Sequence, residues 1–320
     1  MEEKSILNQR ENTKLLSPKL DIIFQALFGE IGSERITKKF LEAILDKTLE
    51  EIDLSGNIVL RRENIEDKMG VLDILVKINK EEYCNLEMQL IEKDKLLERI
   101  LYYWARIYTK NLKSGKDYAN LKKTIEVLIV NFEINELKEL EYHSRWKIIE
   151  EKNRKWVLTE DLEIHIIEIP KIYKLDGKEE ELTKWLYFIE NPESKKVEEY
   201  MKENNEMKEA KEKLKVMSED ERMQILAELR EKAIRDEKAI KRFAIREGLE
   251  EGKKQGIKQG IEQGIKQGIK QGIEQGMKDG INKGKKQEKK DIAKKMKEKG
   301  VNIKLIQEIT ELTEEEINLL

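Results

Sequence analysis

Polar and apolar residues alternate in two neighbouring stretches of this chain. From Leu72 to Ile78 every second residue is a large aliphatic one, and the same alternation returns from Leu86 to Leu90. A period of two is typical of a half-buried β-strand, in which successive side chains point to opposite faces. The polar link at positions 79–82 is short enough for an antiparallel hairpin. The pattern therefore predicts two paired strands with one apolar face and one polar face.

The remaining pattern up to residue 190 predicts further helices and strands around this hairpin. Ser17 followed by Pro18 is typical of a helix start, and Gly29 of a helix end. The run TIEVLIVNF at 124–132 is apolar almost throughout, as in a central strand that is buried on both faces. In chain order we expect helices at 17–28, 34–45 and 93–112, and strands at 57–67, 72–78, 86–90, 124–132, 156–158 and 162–169. The helix at 93–112 should bury Leu97, Ile100, Leu101, Trp104, Ile107 and Tyr108. This order predicts an α/β fold with a mixed sheet.

After residue 190 the pattern becomes helical and highly charged. Between Pro192 and Gly248 there is neither glycine nor proline, and the apolar positions are sparse. We therefore expect residues 191–247 to form an exposed helical arm rather than a second core.

A tetrapeptide repeat follows this arm. Ten of the 17 glycines occur at every fourth residue from Gly248 to Gly284. In a helix each unit advances the pattern by about 40° beyond a full turn, which favours a right-handed supercoil, and glycines permit close helix contact. Against this, each glycine costs about 1 kcal/mol relative to alanine, so ten cost roughly 10 kcal/mol. The sequence leaves two alternatives open: a frayed linker, or a helix stabilised by self-association.

The tail at 286–320 predicts two short helical pieces, at 292–299 and 303–312, separated by Gly300, and a last turn after Thr313. Its final piece is acidic, which argues against insertion into a DNA groove. We interpret the tail as a small helical module for protein contacts.

Composition narrows the class of protein. The net charge of −3 excludes a surface that is strongly basic throughout, so phosphate binding would need a local basic patch. The best local patch comprises Lys110, Lys113, Lys116, Lys122 and Lys123. The single cysteine, Cys84, fits a reducing compartment, and we interpret the two histidines, His143 and His165, as structural. There is no apolar run of membrane-spanning length and no signal-peptide core, so we expect a cytoplasmic protein without a membrane partner.

The polar face of the predicted hairpin carries candidate chemistry. Asp73 and Glu87 lie on that parity together with Gln89. Two carboxylates that converge on a sheet surface can bind a hard divalent cation such as Mg²⁺. Such a cation polarises a phosphate oxygen and activates an attacking water. The alternative is that these are ordinary exposed residues, which are common in a chain that is 40% charged.

The same residues resemble the motif of the PD-(D/E)XK nuclease superfamily, which is an Asp on one strand and Glu-x-Lys on the next. Glu87-Met88-Gln89 matches the Glu-x-Gln form of the recombination-promoting nuclease (Rpn) or transposase family within it. Further matches are Ser17–Phe24, Leu27–Gly29, Arg99 with Tyr103, Gly115–Tyr118, Ile125–Phe132, the region of His143, and Leu162–Pro170. The resemblance covers about residues 14–190. It implies a restriction-endonuclease-like core, a mixed sheet flanked by helices, to which a C-terminal helical extension is added.

The resemblance also implies the roles of individual residues. Asp73 and Glu87 would bind the metal, Mg²⁺ with Mn²⁺ as an alternative, assisted by the backbone carbonyl of Met88. Gln89 stands where the superfamily has Lys. Its amide can orient a water or a phosphate by hydrogen bonding but brings no positive charge.

Accessory roles have alternatives. Asp21 could serve as an outer carboxylate of the site or as a helix-cap or surface residue. Arg99, which matches the family together with Tyr103, could contact phosphate or form a structural ion pair.

The implied function is a Mg²⁺-dependent DNA endonuclease that hydrolyses phosphodiester bonds, associated with recombination, mobile elements or phage defence. The alternative is a weakly active or inactive nuclease-fold protein that serves as an interaction or regulatory module through its C-terminal helices. We also expect a homo-oligomer formed through the repeat and tail. The predicted parts are a flexible tail (1–13), a nuclease-like domain (14–190), a charged helical arm (191–247), the glycine repeat (248–285) and a small helical tail (286–320).

Overall fold

The structure, a computed structural model, describes residues 14–55, 74–110, 112, 117–175 and 179–320. The helices are α1 (Asp21–Phe28), α2 (Glu34–Leu45), α3 (Leu96–Lys110), α4 (Glu181–Glu190), α5 (Lys195–Tyr200), α6 (Asn205–Glu219), α7 (Glu221–Glu298), α8 (Ile303–Thr310) and α9 (Glu314–Asn318). The strands are β1 (Ile52–Asp53), β2 (Ile74–Ile78), β3 (Glu82–Gln89), β4 (Thr124–Val130), β5 (His143–Trp146) and β6 (Leu162–Glu168). Short 3₁₀ helices lie at Tyr118–Asn120, Asn135–Leu137 and Ile169–Lys174. The strand expected at 57–67 lies outside the described residues.

The strands form one mixed sheet in the order β1-β2-β3-β4-β6-β5. β3, β4 and β6 are parallel neighbours, whereas β1, β2 and β5 pair antiparallel. Because β3 and β4 are parallel, the chain between them must cross over the sheet, and α3 forms that crossover. The predicted α/β fold class with a mixed sheet flanked by helices is confirmed.

The predicted hairpin is formed by β2 and β3, in a register that pairs Ile74 with Leu86. Two consecutive residues in the turn, Asn79 and Lys80, have positive φ angles of 48° and 60°. Two such residues define a type I′ turn, whose twist matches that of the flanking strands. The alternating apolar residues Ile74, Val76, Ile78, Leu86 and Met88 face one side of the sheet, as the pattern predicts, whereas Leu75 has the other parity and pairs with Asn85.

That side of the sheet carries the larger core, which α1, α2, α4 and α6 cover. Its centre is aromatic and fully buried: Phe28 lies 4.9 Å from Phe40 between ring centroids, and Phe40 lies 5.6 Å from Trp185. We call this the first face of the sheet. The opposite, second face is covered by α3, where Ile100 packs with Leu128 and other residues of β4 and β6.

Two local expectations for this half of the chain are wrong. Leu101 was expected on the buried side of α3, but 51% of it is exposed, whereas Ile100 and Ile107 are buried as expected. The segment at 156–158 was expected to be a strand, but only Val157 makes an isolated bridge, to Ile149. The edge strand beside β6 is β5, whose alternation is too short to be recognised from the sequence.

The region after residue 190 differs from the exposed arm that the sequence predicts. Val197 of α5 and Met207 and Leu214 of α6 are fully buried against the first-face core, and Ile234 near the start of α7 is 8% exposed. A narrow apolar stripe on a highly charged helix is enough for this packing, because the core supplies the other surface. Residues up to Ala239 form one compact unit.

Residues Ile240–Leu320 form a second compact unit. The glycine repeat lies within the continuous helix α7, so it is helical, and its self-association stays a prediction. A Cβ atom added at any of the ten repeat glycines would have no heavy atom within 4 Å beyond its own helix backbone and chain neighbours. The large apolar residue of each unit from Ile257 to Ile281 is between 56% and 69% exposed. We call these apolar residues and glycines together the Ile–Gly stripe.

The tail packs on the end of α7. Ala293, Ile306, Leu312 and Ile317 form a small apolar cluster there. The predicted break at Gly300 is confirmed, because this glycine has a φ of 74°, which favours glycine over other residues. No helix in the described ranges combines the length and the apolar character needed to cross a membrane.

Candidate active site

Glu87 and Gln89 lie on the second face of the sheet, on the polar side of β3, as the alternation predicts. Leu86 and Met88 between and beside them point into the first-face core, where they are 0% and 2% exposed. Gln89 is 9% exposed, and its amide nitrogen donates a hydrogen bond to the Glu87 carboxylate. This bond fixes the two side chains as one polar unit near the carboxyl end of β3. The backbone of Met88 lies between them, as the motif requires.

Burial raises the pKa of the Glu87 carboxyl above its ordinary value. The hydrogen bond from Gln89 and the positive charges of Arg99 and Lys93 oppose that effect but do not cancel it. A half-buried carboxylate whose charge is only partly compensated gains from a nearby cation. The site is therefore electrostatically prepared for a positively charged ligand.

Two amide oxygens on the same strand face strengthen this fit. The Oε1 atom of Gln89 and the Oδ1 atom of Asn85 are buried and have no hydrogen-bond partner among the described residues. Such atoms are costly when unpaired, and amide and carboxylate oxygens are the donors that Mg²⁺ prefers. Gln89 is hydrogen-bonded to Glu87, so these two side chains offer oxygen donors of the kind that a hard divalent cation prefers. No three His, Cys, Asp or Glu side chains of the described ranges are grouped as metal ligands.

Asp73, the second predicted carboxylate, lies outside the described residues. Its neighbour in the chain, Ile74, pairs with Leu86, the residue directly before Glu87. The role of Asp73 stays a prediction.

Asn85 and Glu126 are two polar residues of this region that sequence reasoning missed. Asn85 pairs across the strands with Glu126 of β4, and its amide nitrogen donates a 2.7 Å hydrogen bond to a Glu126 carboxylate oxygen. Both residues are fully buried under α3. A signal was present in the sequence: Glu126 is the one charged residue within the apolar run of β4, and Asn85 shares the parity of Glu87.

Arg99 and Tyr103 lie one helical turn apart on α3. The Arg99 guanidinium lies 5.7 Å from the centre of the Tyr103 ring and donates to its hydroxyl at 3.4 Å. The positive charge of Arg99 is one of the influences that lower the pKa of Glu87, and its role in the site stays a prediction.

Asp21 lies at the start of α1 and is engaged elsewhere. Arg230 of α7 contacts both of its carboxylate oxygens, at 2.8 Å from Nε and 2.5 Å from a terminal nitrogen. This two-point ion pair joins the start of α1 to the first part of α7. A structural role therefore accounts for Asp21.

The predicted lysine patch is partly used for ion pairs. Lys122 pairs with Glu81, and the Lys123 ammonium lies 2.6 Å from a carboxylate oxygen of Glu163. Lys110 is exposed near the end of α3. Lys113 and Lys116 lie outside the described residues.

The two histidines lie away from Glu87, on the first face of the sheet. His143 Nε2 is 2.8 Å from His165 Nδ1, and His165 Nε2 is 2.9 Å from a carboxylate oxygen of Glu163. Burial lowers the pKa of both imidazoles, that of His143 to about 3, and the hydrogen bond from His165 lowers the pKa of Glu163. His165 is fully buried, whereas His143 borders a polar cleft of about 580 Å³ beside α2 and α4. Their contacts agree with the interpretation of both residues as structural.

Comparison with family models assigns the chain to a family. The model described as PD-(D/E)XK nuclease family transposase matches residues 18–244, which is more than half of the chain. The chain belongs to this family. Its matched region includes α5, α6 and the beginning of α7, in agreement with their burial in the first unit. Comparisons with curated proteins and with solved structures found no match.

Proposed function

We propose that this family member is a metal-dependent DNA endonuclease that hydrolyses phosphodiester bonds at the polar face of β3. The observation that carries the proposal is the pair of Glu87 and Gln89, which combines a carboxylate of raised pKa with an unpartnered buried amide oxygen. The family assignment supports nuclease chemistry, and the biological setting we propose is recombination, mobile elements or phage defence.

The metal would be held by Glu87 and Asp73 through carboxylate oxygens and by the backbone carbonyl of Met88. A divalent cation, Mg²⁺ or Mn²⁺, polarises a phosphate oxygen and lowers the pKa of the attacking water when it is bound. Gln89 then orients the water or the phosphate through its amide. Arg99 supplies the fixed positive charge that a lysine supplies in the commoner motif, since the charge of Arg99 reaches Glu87.

A plasmid-nicking assay tests the proposal. The parent protein should convert supercoiled plasmid to nicked and linear forms with Mg²⁺ or Mn²⁺ and should not do so with EDTA. Glu87→Gln and Asp73→Asn should abolish this conversion, because each removes a metal-binding charge while it keeps the shape of the side chain. Glu82→Gln is the matched control: it lies on the same strand, pairs with Lys47 at 2.8 Å, and should cut like the parent. Full activity of the Glu87→Gln protein would refute the assignment.

We further propose that a second copy of the chain covers the Ile–Gly stripe. A helix with ten glycines carries a local cost of roughly 10 kcal/mol relative to alanine. Burial of the exposed isoleucines against another helix would offset that cost. Association through α7 is therefore the homo-oligomeric contact that the helix favours, and such assemblies would carry two nuclease sites.

Charges beside the stripe favour an antiparallel pair. The residue after each large apolar residue from Ile257 to Met277 is charged, and these charges have both signs: Lys258, Glu262, Lys266, Lys270, Glu274 and Lys278. In an antiparallel pair this row faces the same row of the second copy, whereas in a parallel pair it faces the neutral glutamine row. Centring the antiparallel pair on Lys266 places Lys258 opposite Glu274 and Glu262 opposite Lys270. Between Lys254 and Lys278, four of the seven contacts are then attractive, whereas Lys266 meets its own copy and Lys254 meets Lys278 twice.

Light scattering of the full chain tests this arrangement. Changing Glu262 and Glu274 to lysine makes the whole row positive and should lower the mass of the assembly. Changing Glu288 and Glu298 to lysine alters the net charge equally but outside the repeat, and should leave the mass unchanged. An assembly mass that neither pair of changes affects would remove the proposed register. If the parent also fails to cut DNA while it self-associates, the alternative of a non-enzymatic interaction module replaces the nuclease proposal.

A further inference from the structure

The outer surface of α3 carries two tyrosine rings between two arginines. Arg99, Tyr102, Tyr103 and Arg106 occupy positions i, i+3, i+4 and i+7, so they share one side of the helix. The Arg106 guanidinium lies 5.9 Å from the centre of the Tyr102 ring, as Arg99 does at 5.7 Å from Tyr103. The two rings meet at 5.7 Å between centroids with a 62° angle between their planes. We call these four residues the Arg–Tyr ladder.

The ladder adjoins the candidate active site. Arg99, at its first position, lies in the first turn of α3, and only residues 90–95 separate this helix from the end of β3 that carries Glu87 and Gln89. Another flank of α3 is directed to β4 and β6, because Trp104 donates to the Thr124 carbonyl and Tyr108 to Asp161, each at 2.8 Å. The ladder therefore lies on a different flank of α3, and its first residue belongs to the turn that follows the Glu87–Gln89 end of β3.

Exposure and charge of this flank indicate a nucleic-acid ligand. Tyr102 is 52% exposed although it carries a large ring. Residues 93–110 contain five Lys or Arg and two Asp or Glu, a net charge of +3, whereas the whole chain carries −3. Positive charge alone suffices for binding the phosphates of a duplex. An exposed ring held beside a guanidinium instead suits stacking on a base that has left the duplex.

On the basis of the proposed nuclease function, we infer that Tyr102, supported by Tyr103 and Arg106, is a stacking platform for an unpaired base. The preferred substrate would then be DNA with single-stranded nucleotides beside the bond that is cut. Arg99 and Arg106 would contact the phosphates on either side of the stacked base. The ladder would select DNA by its unpaired state and not by its sequence, since every base presents a π-face.

Binding measurements on the full chain test the platform without any cleavage. Fluorescence anisotropy in EDTA compares a short labelled single strand of mixed sequence with the same strand in a duplex. Tyr102→Leu removes the ring but keeps an apolar side chain at an exposed position. It should raise the Kd for the single strand about 5- to 150-fold, the range expected for one stacked base, and leave the Kd for the duplex within about twofold. Tyr102→Phe keeps the ring and should bind the single strand like the parent.

Tyr173→Leu is the matched control, because this tyrosine is 63% exposed but packs its ring edge-on against Tyr187 of α4, which covers the first face. Its affinity for both oligonucleotides should equal that of the parent. The platform is refuted if Tyr102→Leu binds the single strand as tightly as the parent, or if it weakens single strand and duplex equally. It is also refuted if the parent does not prefer the single strand. Because the assay needs no chemistry, a Tyr102 effect in a protein that cuts no DNA would refute the nuclease function and retain the platform.

Discussion

The histidine pair predicts that the first unit loses stability in mild acid. His143 and His165 are hydrogen-bonded to each other, and His165 also to Glu163. If Glu163 accepts from His165 Nε2–H, then His165 Nδ1 accepts from His143 Nε2–H, so both imidazoles fit this chain of bonds as neutral groups. Protonation of the pair would place a positive charge in a largely buried location close to Arg145, whose charge also lowers both pKa values.

The size of the effect follows from the shift of one residue. The pKa of His143 falls from its usual 6.5 to about 3 in the folded protein. Between pH 6.5 and 3 the unfolded chain therefore binds a proton at this histidine that the folded chain does not bind. Stability is lost as the pH falls through this range. At about pH 5 the loss from His143 alone amounts to about 2 kcal/mol. His165 shifts in the same direction and adds to the loss.

Urea unfolding, followed by the fluorescence of tryptophan, measures this loss. The parent should have the same free energy of unfolding at pH 7.5 and pH 8.5, where both imidazoles are neutral, and a lower one at pH 5. His143→Gln can still donate to His165 but does not titrate, so its stability should fall less between pH 7.5 and 5. Equal stability of the parent at pH 5, or an equal loss in His143→Gln, would contradict this role of the histidine pair.

Three further predictions concern the core and the active site. Phe28→Ala should lower the free energy of unfolding in urea by about 3–5 kcal/mol, because this ring is fully buried. Ile31→Ala, at a position that is 64% exposed, should lower it little. Similar losses for the two variants would contradict the core assignment. Gln89→Lys should retain plasmid nicking, because it adds a positive charge beside Glu87, whereas Gln89→Ala should lose most of the nicking activity. Undiminished nicking by the alanine variant would show that Gln89 has no part in the reaction. Lys171→Met should cost about 3–5 kcal/mol of unfolding free energy, because it leaves Glu168, 2.6 Å away and 1% exposed, without its cation. This loss should be smaller when Glu168 is also changed to Gln. A single variant as stable as the parent would contradict the pairing.

Local pattern was sufficient for the elements that hold the candidate site. A period of two fixes which side of a strand each residue faces, so Glu87 and Gln89 could be assigned to the polar face without any knowledge of the tertiary fold. Short turns join strands that are adjacent in sequence, so the hairpin with Asn79 and Lys80 was also predictable. The helix break at Gly300 and the order of helices and strands followed from similarly local signals.

Contacts between distant residues were decided only by the tertiary structure. The partner of Asp21 is Arg230, 209 positions away, and Asn85 meets Glu126 only because β3 and β4 are parallel neighbours. Sparse apolar residues such as Leu214 could belong equally to an exposed helix or to a packed one, since their burial depends on the surface that another part of the chain provides. Local sequence determines the direction in which a side chain points, whereas the packing of the whole chain determines what it meets there.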